Sequence, residues 1–324
     1  MVSKYPITRK IKNKHSVYFY KNGKKIINRD EVDRINKLRI PPAYKDVKIY
    51  SKNSKEQYVA KDDKGRIQIG YHPTWIVERN RKKFRDLIIF ANLYPKIMNK
   101  IDLIIKNNKK DKEMYTALAI KLLDSCKIRP GNEKHLKNTG SYGTTTLCKK
   151  HIKKKSNCLK IEFKGKSGVI NHCRIKLNTS LAKHILKLSK NAKSSDRIFN
   201  KNITNVAMNN FLKQYDDSIS VKTFRTYHAN IIFIQKILQD VNEDYSNKQR
   251  NKQTILAIKE AANYLHHRPA TFKNSYLFTP IRDLYIKDPI KFKKTFKKNK
   301  LNKSLISFIK KNTEKKANIP KNWT

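Results

Sequence analysis

The spacing of apolar residues changes near residue 82, and that change restricts the fold more than any other feature of the chain. Up to that point the apolar residues alternate in short runs broken by turn residues. Beyond it they recur every three or four positions, the period of a helix that buries one face. The chain therefore reads as α+β, strands first and helices after.

The β half is legible in its turns. VYFYKNGKKII (17–27) joins two apolar-rich runs through Asn22-Gly23, a pair suited to a tight turn whose central residues both need positive φ, so a hairpin is expected. QYVAKDDKGRIQIGY (57–71) predicts a second hairpin with Gly65 in its polar turn, and RIPPAYKDVKIY sets Pro41 and Pro42 ahead of another short strand. In the helical half, Met114, Leu118, Leu122 and Cys126 form one expected core face; Ile231, Ile234, Leu238 and Val241 form a second; Ile255, Ile258, Ala262 and Leu265 form a third. One β element interrupts the helices: CLKIEFKGKSGVINHCRI (158–175) alternates on both sides of a turn built on Gly165 and Gly168, which puts Lys166 at a hairpin tip.

The charged stretch ERNRKKFRD (78–86) is the candidate boundary, giving a small, mainly antiparallel-β N-terminal domain at 1–81 and a larger, mainly helical domain at 82–324 with a small β-sheet of its own. The most basic stretch, 291–316, reads as a solvated tail with a short helix around Leu305 to Ile309. No internal repeat is apparent.

Charge selects the class of partner. Lys plus Arg number 75 against 25 Asp plus Glu, a formal net charge of +50 spread along the chain, and a polyanion is the partner this implies. No apolar run approaches the roughly 20 residues of a membrane span, and no basic amphipathic anchor is visible. MVSKYPITRK lacks the apolar core of a signal peptide, so a protein that stays inside a cell is expected. The cysteines at 126, 148, 158 and 173 have neither CxxC spacing nor a paired-histidine partner, and are read as reduced thiols that hold no zinc. Only 15 of the 75 basic residues are arginine in a chain rich in Lys, Asn and Ile, so each arginine resists the compositional bias and is the more informative.

Four segments carry groups suited to one chemistry. Arg129 lies in KIRPGNEKHLKNTGSYGTTTLCKKHI, Lys166 at the hairpin tip, Arg225 in VKTFRTYHANIIFI, and His267 with Tyr276 in YLHHRPATFKNSYLF. A tyrosine phenolate can attack a DNA phosphorus and store the broken bond as a phosphotyrosine, so that rejoining needs no ATP. The extra negative charge of that transition state is met by guanidinium forks and an imidazole donor, and the departing sugar oxygen needs a proton that a lysine or arginine near the hairpin can give.

Taken together these motifs resemble the DNA topoisomerase IB family, of poxvirus and bacterial-like type. IRPGNEKHLKNTGSYGTTTLCKKHI is similar to the family's segment around its first active-site arginine, FKGKSG to its FxGK hairpin, KTFRTY to its KxxRTY box, and the interval from His267 to Tyr276 to its His-x(8)-Tyr spacing. The resemblance implies a tyrosine recombinase/topoisomerase IB catalytic fold that clamps around double-stranded DNA. It also implies a monomer that relaxes supercoils through a transient 3′-phosphotyrosyl nick, without metal or cofactor. It assigns Arg129, Arg225 and His267 to the scissile phosphate, Lys166 to protonation of the 5′ oxygen and Tyr276 to nucleophilic attack, with Lys222 assisting. Gln68 and Tyr71 fall in the strand that reads DNA in the family, and Lys134 and His135 are further expected DNA contacts. If the source is viral, the resemblance places the protein in the virion and the host compartment of viral DNA synthesis.

This chain departs from the pattern in three places: His135 stands where poxvirus enzymes carry an aromatic, Ile69 in a slot that can be tyrosine, and His266 where glycine is common. Two other readings stand beside the first. A tyrosine recombinase would use nearly the same site, but usually with His-x-x-Arg where this chain has Lys222-x-x-Arg225. A non-catalytic DNA-compacting basic protein would explain the charge and leave the ordered motifs unexplained.

Overall fold

The computed structural model describes residues 7–12 and 15–313. It divides into two compact units, one of the described residues through Lys83 and one from Phe84 onward.

The first unit is an antiparallel five-stranded sheet built from β1 (Ile7–Lys12), β2 (His15–Phe19), β3 (Lys45–Ile49), β4 (Glu56–Lys61) and β5 (Ile67–Tyr71), in the order β2-β1-β3-β4-β5. Helix α1 (Arg29–Lys37) is inserted before β3. Ile7, Tyr18, Ile26, Ile35, Val47, Ile49 and Ala60 form its core. The expected second hairpin is present as β4 and β5, with Gly65 at φ +69 in the turn. The first is only half formed. Gly23 takes φ +79 in a tight turn, yet the limb after it contributes a single bridge, Phe19 to Lys25, and β2 pairs instead with β1. The cause lies in the next residue but two: Asn28 caps α1 by accepting from Glu31 N (2.9 Å), which turns the chain out of the sheet and leaves Ile27 exposed.

Helix α2 (Pro73–Asn107) runs through the charged stretch 78–86, within which the division into two units falls. The second unit continues with α3 (Lys112–Cys126), α4 (Glu133–Thr139), a three-stranded antiparallel sheet of β6 (Ile152–Lys154), β7 (Cys158–Lys164) and β8 (Ile170–Lys176), and then α5 (Ser180–Ser189), α6 (Asn205–Lys213), α7 (Val221–Gln239), α8 (Asn247–Tyr264), α9 (Pro269–Ser275), α10 (Thr279–Lys287), α11 (Pro289–Thr295) and α12 (Leu301–Thr313). One continuous core joins these elements apart from α4, which buries no residue. The α+β architecture, with β first and helices plus a small sheet after, is as expected.

Three expectations need correction. Of the third expected face, Ile258, Ala262 and Leu265 are buried but Ile255 is half exposed, and α8 buries Thr254, Ala257 and Ala261 in its place. The stretch after 291 is no solvated tail as far as Thr313: Phe292, Phe296, Leu301, Leu305 and Ile309 are buried in the main core, with the lysines on the outer faces of α11 and α12. Residues 314–316 of that stretch lie outside the described residues. Finally, Cys126 and Cys173 are joined in a disulfide across 47 residues of sequence, while Cys148 and Cys158 are free thiols. Spacing rules test neighbours in sequence and are silent about a pair that the fold brings together. Among the described residues no helix is long and apolar enough to cross a membrane.

Candidate active site

Arg129 is placed by the way α3 stops. Lys127 takes the left-handed conformation (φ 54) just past the helix, and the loop that follows is packed glycine on glycine. A Cβ on Gly143 would lie 2.5 Å from Gly131 N and 2.7 Å from Arg129 O, and Gly131 itself sits at φ +87. That close approach lets Thr144 N and Oγ1 donate to Arg129 O (2.8 and 3.1 Å), which fixes the arginine's backbone.

Arg225 comes from the first turns of α7 and is only 2% exposed. Its guanidinium donates to the carbonyl oxygens of Lys127 and Leu265, and its Nη2 lies 2.7 Å from His267 Nε2. Its Nε is buried with no partner. Burial, then the neighbouring Arg129, lowers its pKa to about 10.

His267 and Tyr276 are presented by a break between two helices. After α8 ends, Leu265 is buried as an anchor, His266 turns left-handed (φ 51), and Pro269 opens α9 at a position where its missing N–H costs nothing. Tyr276 caps α9, its N–H donating to Phe272 O (3.0 Å). The two rings lie face to tilted face, 4.4 Å between centroids. Arg129 Nη2 reaches His267 Nδ1 at 3.3 Å, and the charges of both arginines act on the Tyr276 hydroxyl.

Arg129, Arg225, His267 and Tyr276 thus converge on one point. Among the described residues the hydrogen-bond partners of the two arginines are His267 and backbone carbonyls, and none is a carboxylate. Two guanidinium forks without a counter-anion form a site for an oxyanion. Their charge also acts on Tyr276. Burial pushes the Tyr276 hydroxyl up, but Arg129 and Arg225 together outweigh it and the net shift is downward, favouring the phenolate. His267 is pushed down to about 2 by burial first, then by Arg225 and Arg129, so its ring is neutral and one nitrogen keeps a proton to donate.

Lys166 stands exposed at the tip of the β7–β8 hairpin, near enough for its charge to depress His267 further. Lys222 is exposed one turn before Arg225 and hydrogen-bonds none of the other five residues. Lys134 and His135 are exposed in the first turn of α4, their N–H groups capped by Asn132 Oδ1 (2.8 and 3.4 Å). In the first unit, Gln68 donates to Asp62 Oδ2 (3.0 Å), which also holds Arg66. Tyr71 is stacked on Trp75 with ring centroids 4.2 Å apart, and Lys55 and Arg79 lie over the Trp75 ring.

Two supporting groups escaped the sequence reading. Asn230 donates from Nδ2 to Tyr276 O (3.0 Å) and accepts at Oδ1 from Phe278 N (2.8 Å), clamping the backbone on both sides of Leu277. Asp124 is buried beneath the Arg129 loop, where it accepts from Tyr94 Oη (3.1 Å) and lies 2.5 Å from His228 Nε2, one helical turn beyond Arg225. The available signal was a polar residue inside an apolar helical run, such as Asn230 in HANIIFI.

Three buried histidines link this construction to pH. His267 at about 2, and His151 and His266 each at about 4, are all held down chiefly by burial from an unfolded value of 6.5. Below pH 6.5 the unfolded chain takes up protons that the folded one refuses. The stability these neutral rings contribute is therefore complete above pH 6.5 and is lost as pH falls toward 4. The melting temperature should decline across that window, and less steeply in His266→Gly; a Tm independent of pH there would contradict the assignment.

Comparison with known proteins agrees with this geometry. Residues 72–279 match the family described as eukaryotic DNA topoisomerase I, catalytic core, and residues 16–68 match the bacterial DNA topoisomerase IB N-terminal domain. The chain is 30% identical over 298 residues to DNA topoisomerase 1B of Acanthamoeba polyphaga mimivirus, covering 86% of each chain. It is 27% identical over 285 residues to DNA topoisomerase 1B of vaccinia virus (strain Copenhagen), covering 83% of this chain and 90% of that one. A catalytic-core match spanning most of the chain, an N-terminal match ahead of it and viral relatives aligned nearly end to end place this protein in the type IB DNA topoisomerase family.

Proposed function

We propose that this type IB topoisomerase relaxes supercoiled duplex DNA by nicking one strand through Tyr276, allowing rotation and rejoining the strand, with no ATP or metal ion. The observation that carries the chemistry is the convergence of Arg129 and Arg225, free of carboxylate partners, on the Tyr276 hydroxyl and His267. The two arginines and the imidazole N–H receive the non-bridging oxygens of the scissile phosphate, whose charge grows as the phenolate adds to phosphorus. Fixed cations supply here the charge stabilisation that a metal supplies elsewhere. The leaving 5′ oxygen takes its proton from Lys166, and the 3′-phosphotyrosine keeps the bond energy for religation when the 5′ hydroxyl returns.

Each other candidate residue has a place in this scheme. Lys222 assists from α7. Gln68 and Tyr71 contact a groove, and Lys134 and His135 contact the backbone near the cleaved strand. The two units embrace duplex DNA as a clamp, the first (1–81) binding and the second (82–324) binding and cutting. The enzyme acts as a monomer on DNA inside cells, without a membrane. Relatives from a mimivirus and a poxvirus support action in virions and in the host compartment where viral DNA is copied.

A plasmid relaxation assay in the presence of EDTA and without ATP tests this reading. Complete relaxation through a ladder of topoisomers is expected. Shifted but unrelaxed plasmid would point to DNA compaction, and activity confined to sites assembled with several copies would point to recombination.

A further inference from the structure

We propose that the Cys126–Cys173 disulfide, together with the ring contact between His172 and His266, is a staple that positions Lys166 for proton delivery to the leaving oxygen. The proposal rests on the reading of Lys166 as the general acid. The bond joins the last residue of α3 to β8, with Cα atoms 5.3 Å apart. Cys126 lies three residues before Arg129, and Cys173 three residues beyond Ile170, where β8 leaves the turn that carries Lys166. At about 3.3 Å per strand residue the staple grips β8 roughly 10 Å from the point where it leaves the turn.

The neighbouring side chains extend the grip to a third segment. The His172 and His266 rings meet edge to face with centroids 5.4 Å apart, and His266 Nε2 donates to Cys126 O (3.3 Å). His266 occupies a left-handed conformation (φ 51) that favours glycine, and it directly precedes His267. The segments bearing Lys166, Arg129 and His267 are therefore tied together at four side chains that take no part in the chemistry itself. On the hairpin's other strand, Tyr142 N–H donates to Lys164 O (2.9 Å) and holds the strand to the loop after Arg129. Lys166 is exposed and its side chain has no hydrogen bond among the described residues, so its placement follows that of the hairpin.

Cleavage then depends on thiol state. A dithiol reductant passes two electrons and two protons to the S–S bond, leaving two thiols on the protein and becoming a disulfide itself. The DNA and the other active-site residues are untouched.

The test is single-turnover cleavage of two duplex substrates, one with the natural 5′ oxygen at the scissile bond and one with sulfur, whose thiolate leaves without a proton. Wild type is compared with itself after dithiothreitol, with Cys126→Ser/Cys173→Ser, with His172→Ala, with a Cys148→Ser/Cys158→Ser control and with Lys166→Ala. Loss of the staple should slow the oxygen substrate on the order of 10- to 100-fold, the scale of a displaced catalytic group, and leave the sulfur substrate unchanged. The control should match wild type, and thiol titration of the unfolded, unreduced chain should find the two free cysteines, 148 and 158. Four titratable thiols in fully active enzyme, or equal slowing on both substrates, would overturn the proposal. Rescue of Lys166→Ala by sulfur without rescue of the double serine variant would overturn the staple alone; failure to rescue Lys166→Ala would overturn the acid assignment as well.

Discussion

Tyr276→Phe should abolish both the covalent protein–DNA adduct and plasmid relaxation while leaving duplex affinity nearly unchanged. The ring is buried against His267, and the backbone is clamped by Asn230, so phenylalanine keeps the packing and the position. What disappears is the oxygen that forms the new bond to phosphorus, on which the charges of Arg129 and Arg225 act. Binding rests on the summed charge of 75 basic residues and does not depend on one hydroxyl. Denaturing gels with labelled duplex and a filter-binding titration read the two quantities separately. A surviving adduct in Tyr276→Phe would move the nucleophile elsewhere.

Arg225→Lys should lose far more activity than its retained charge suggests. The native guanidinium divides its donors among Lys127 O, Leu265 O and His267 Nε2, joining the Arg129 loop to the α8 end while facing the Tyr276 hydroxyl. A lysine ammonium is a point charge with three donors and cannot span those partners in one plane. In a site this buried, an ammonium is also easier to strip of its proton than a guanidinium, since burial lowers even Arg225 to about 10. Removing one preorganised donor of this kind costs on the order of 100-fold to 1000-fold in rate. Single-turnover cleavage should fall by that amount with little change in DNA affinity. Cleavage at the wild-type rate would remove Arg225 from the site.

What the sequence made visible was local. The helical period found α3, though of the four residues expected on the core face of α7 only Ile234 is buried, that helix burying Phe224, Phe233 and Ile237 beside it; the glycines at 65, 165 and 168 marked turns that exist, and the four candidate segments could be picked out before any of them was seen to meet. What it hid depends on distance along the chain or on competition between local signals. Cys126 and Cys173 pair across 47 residues, and Asp124 meets His228 across more than twice that separation, so neither contact leaves a spacing to read. The limb after Gly23 has strand-like residues, but the cap at Asn28 commits the chain to α1 first. In the C-terminal stretch the abundance of lysine concealed Phe292, Phe296, Leu301, Leu305 and Ile309, which line one buried side. Ile255 fits a four-residue repeat, yet the buried face of α8 is set by its packing against α7 and α9 and passes through the smaller Ala257 and Ala261. The site departs from local rules where it serves the chemistry: an arginine 2% exposed, with an unpartnered Nε, is a poor choice for a core and a suitable one for an anion.

The central claim is that Tyr276 becomes bonded to a DNA 3′ phosphate, and the most direct measurement is to trap that bond and locate it. Wild-type protein is reacted with a duplex whose cleaved strand loses its short downstream fragment, so that religation cannot follow; the product is digested with protease and nuclease and mapped by mass spectrometry. The account predicts a single modified peptide, with the nucleotide esterified through its 3′ phosphate to Tyr276. A nucleotide joined through its 5′ phosphate, or carried by any other residue, would contradict it.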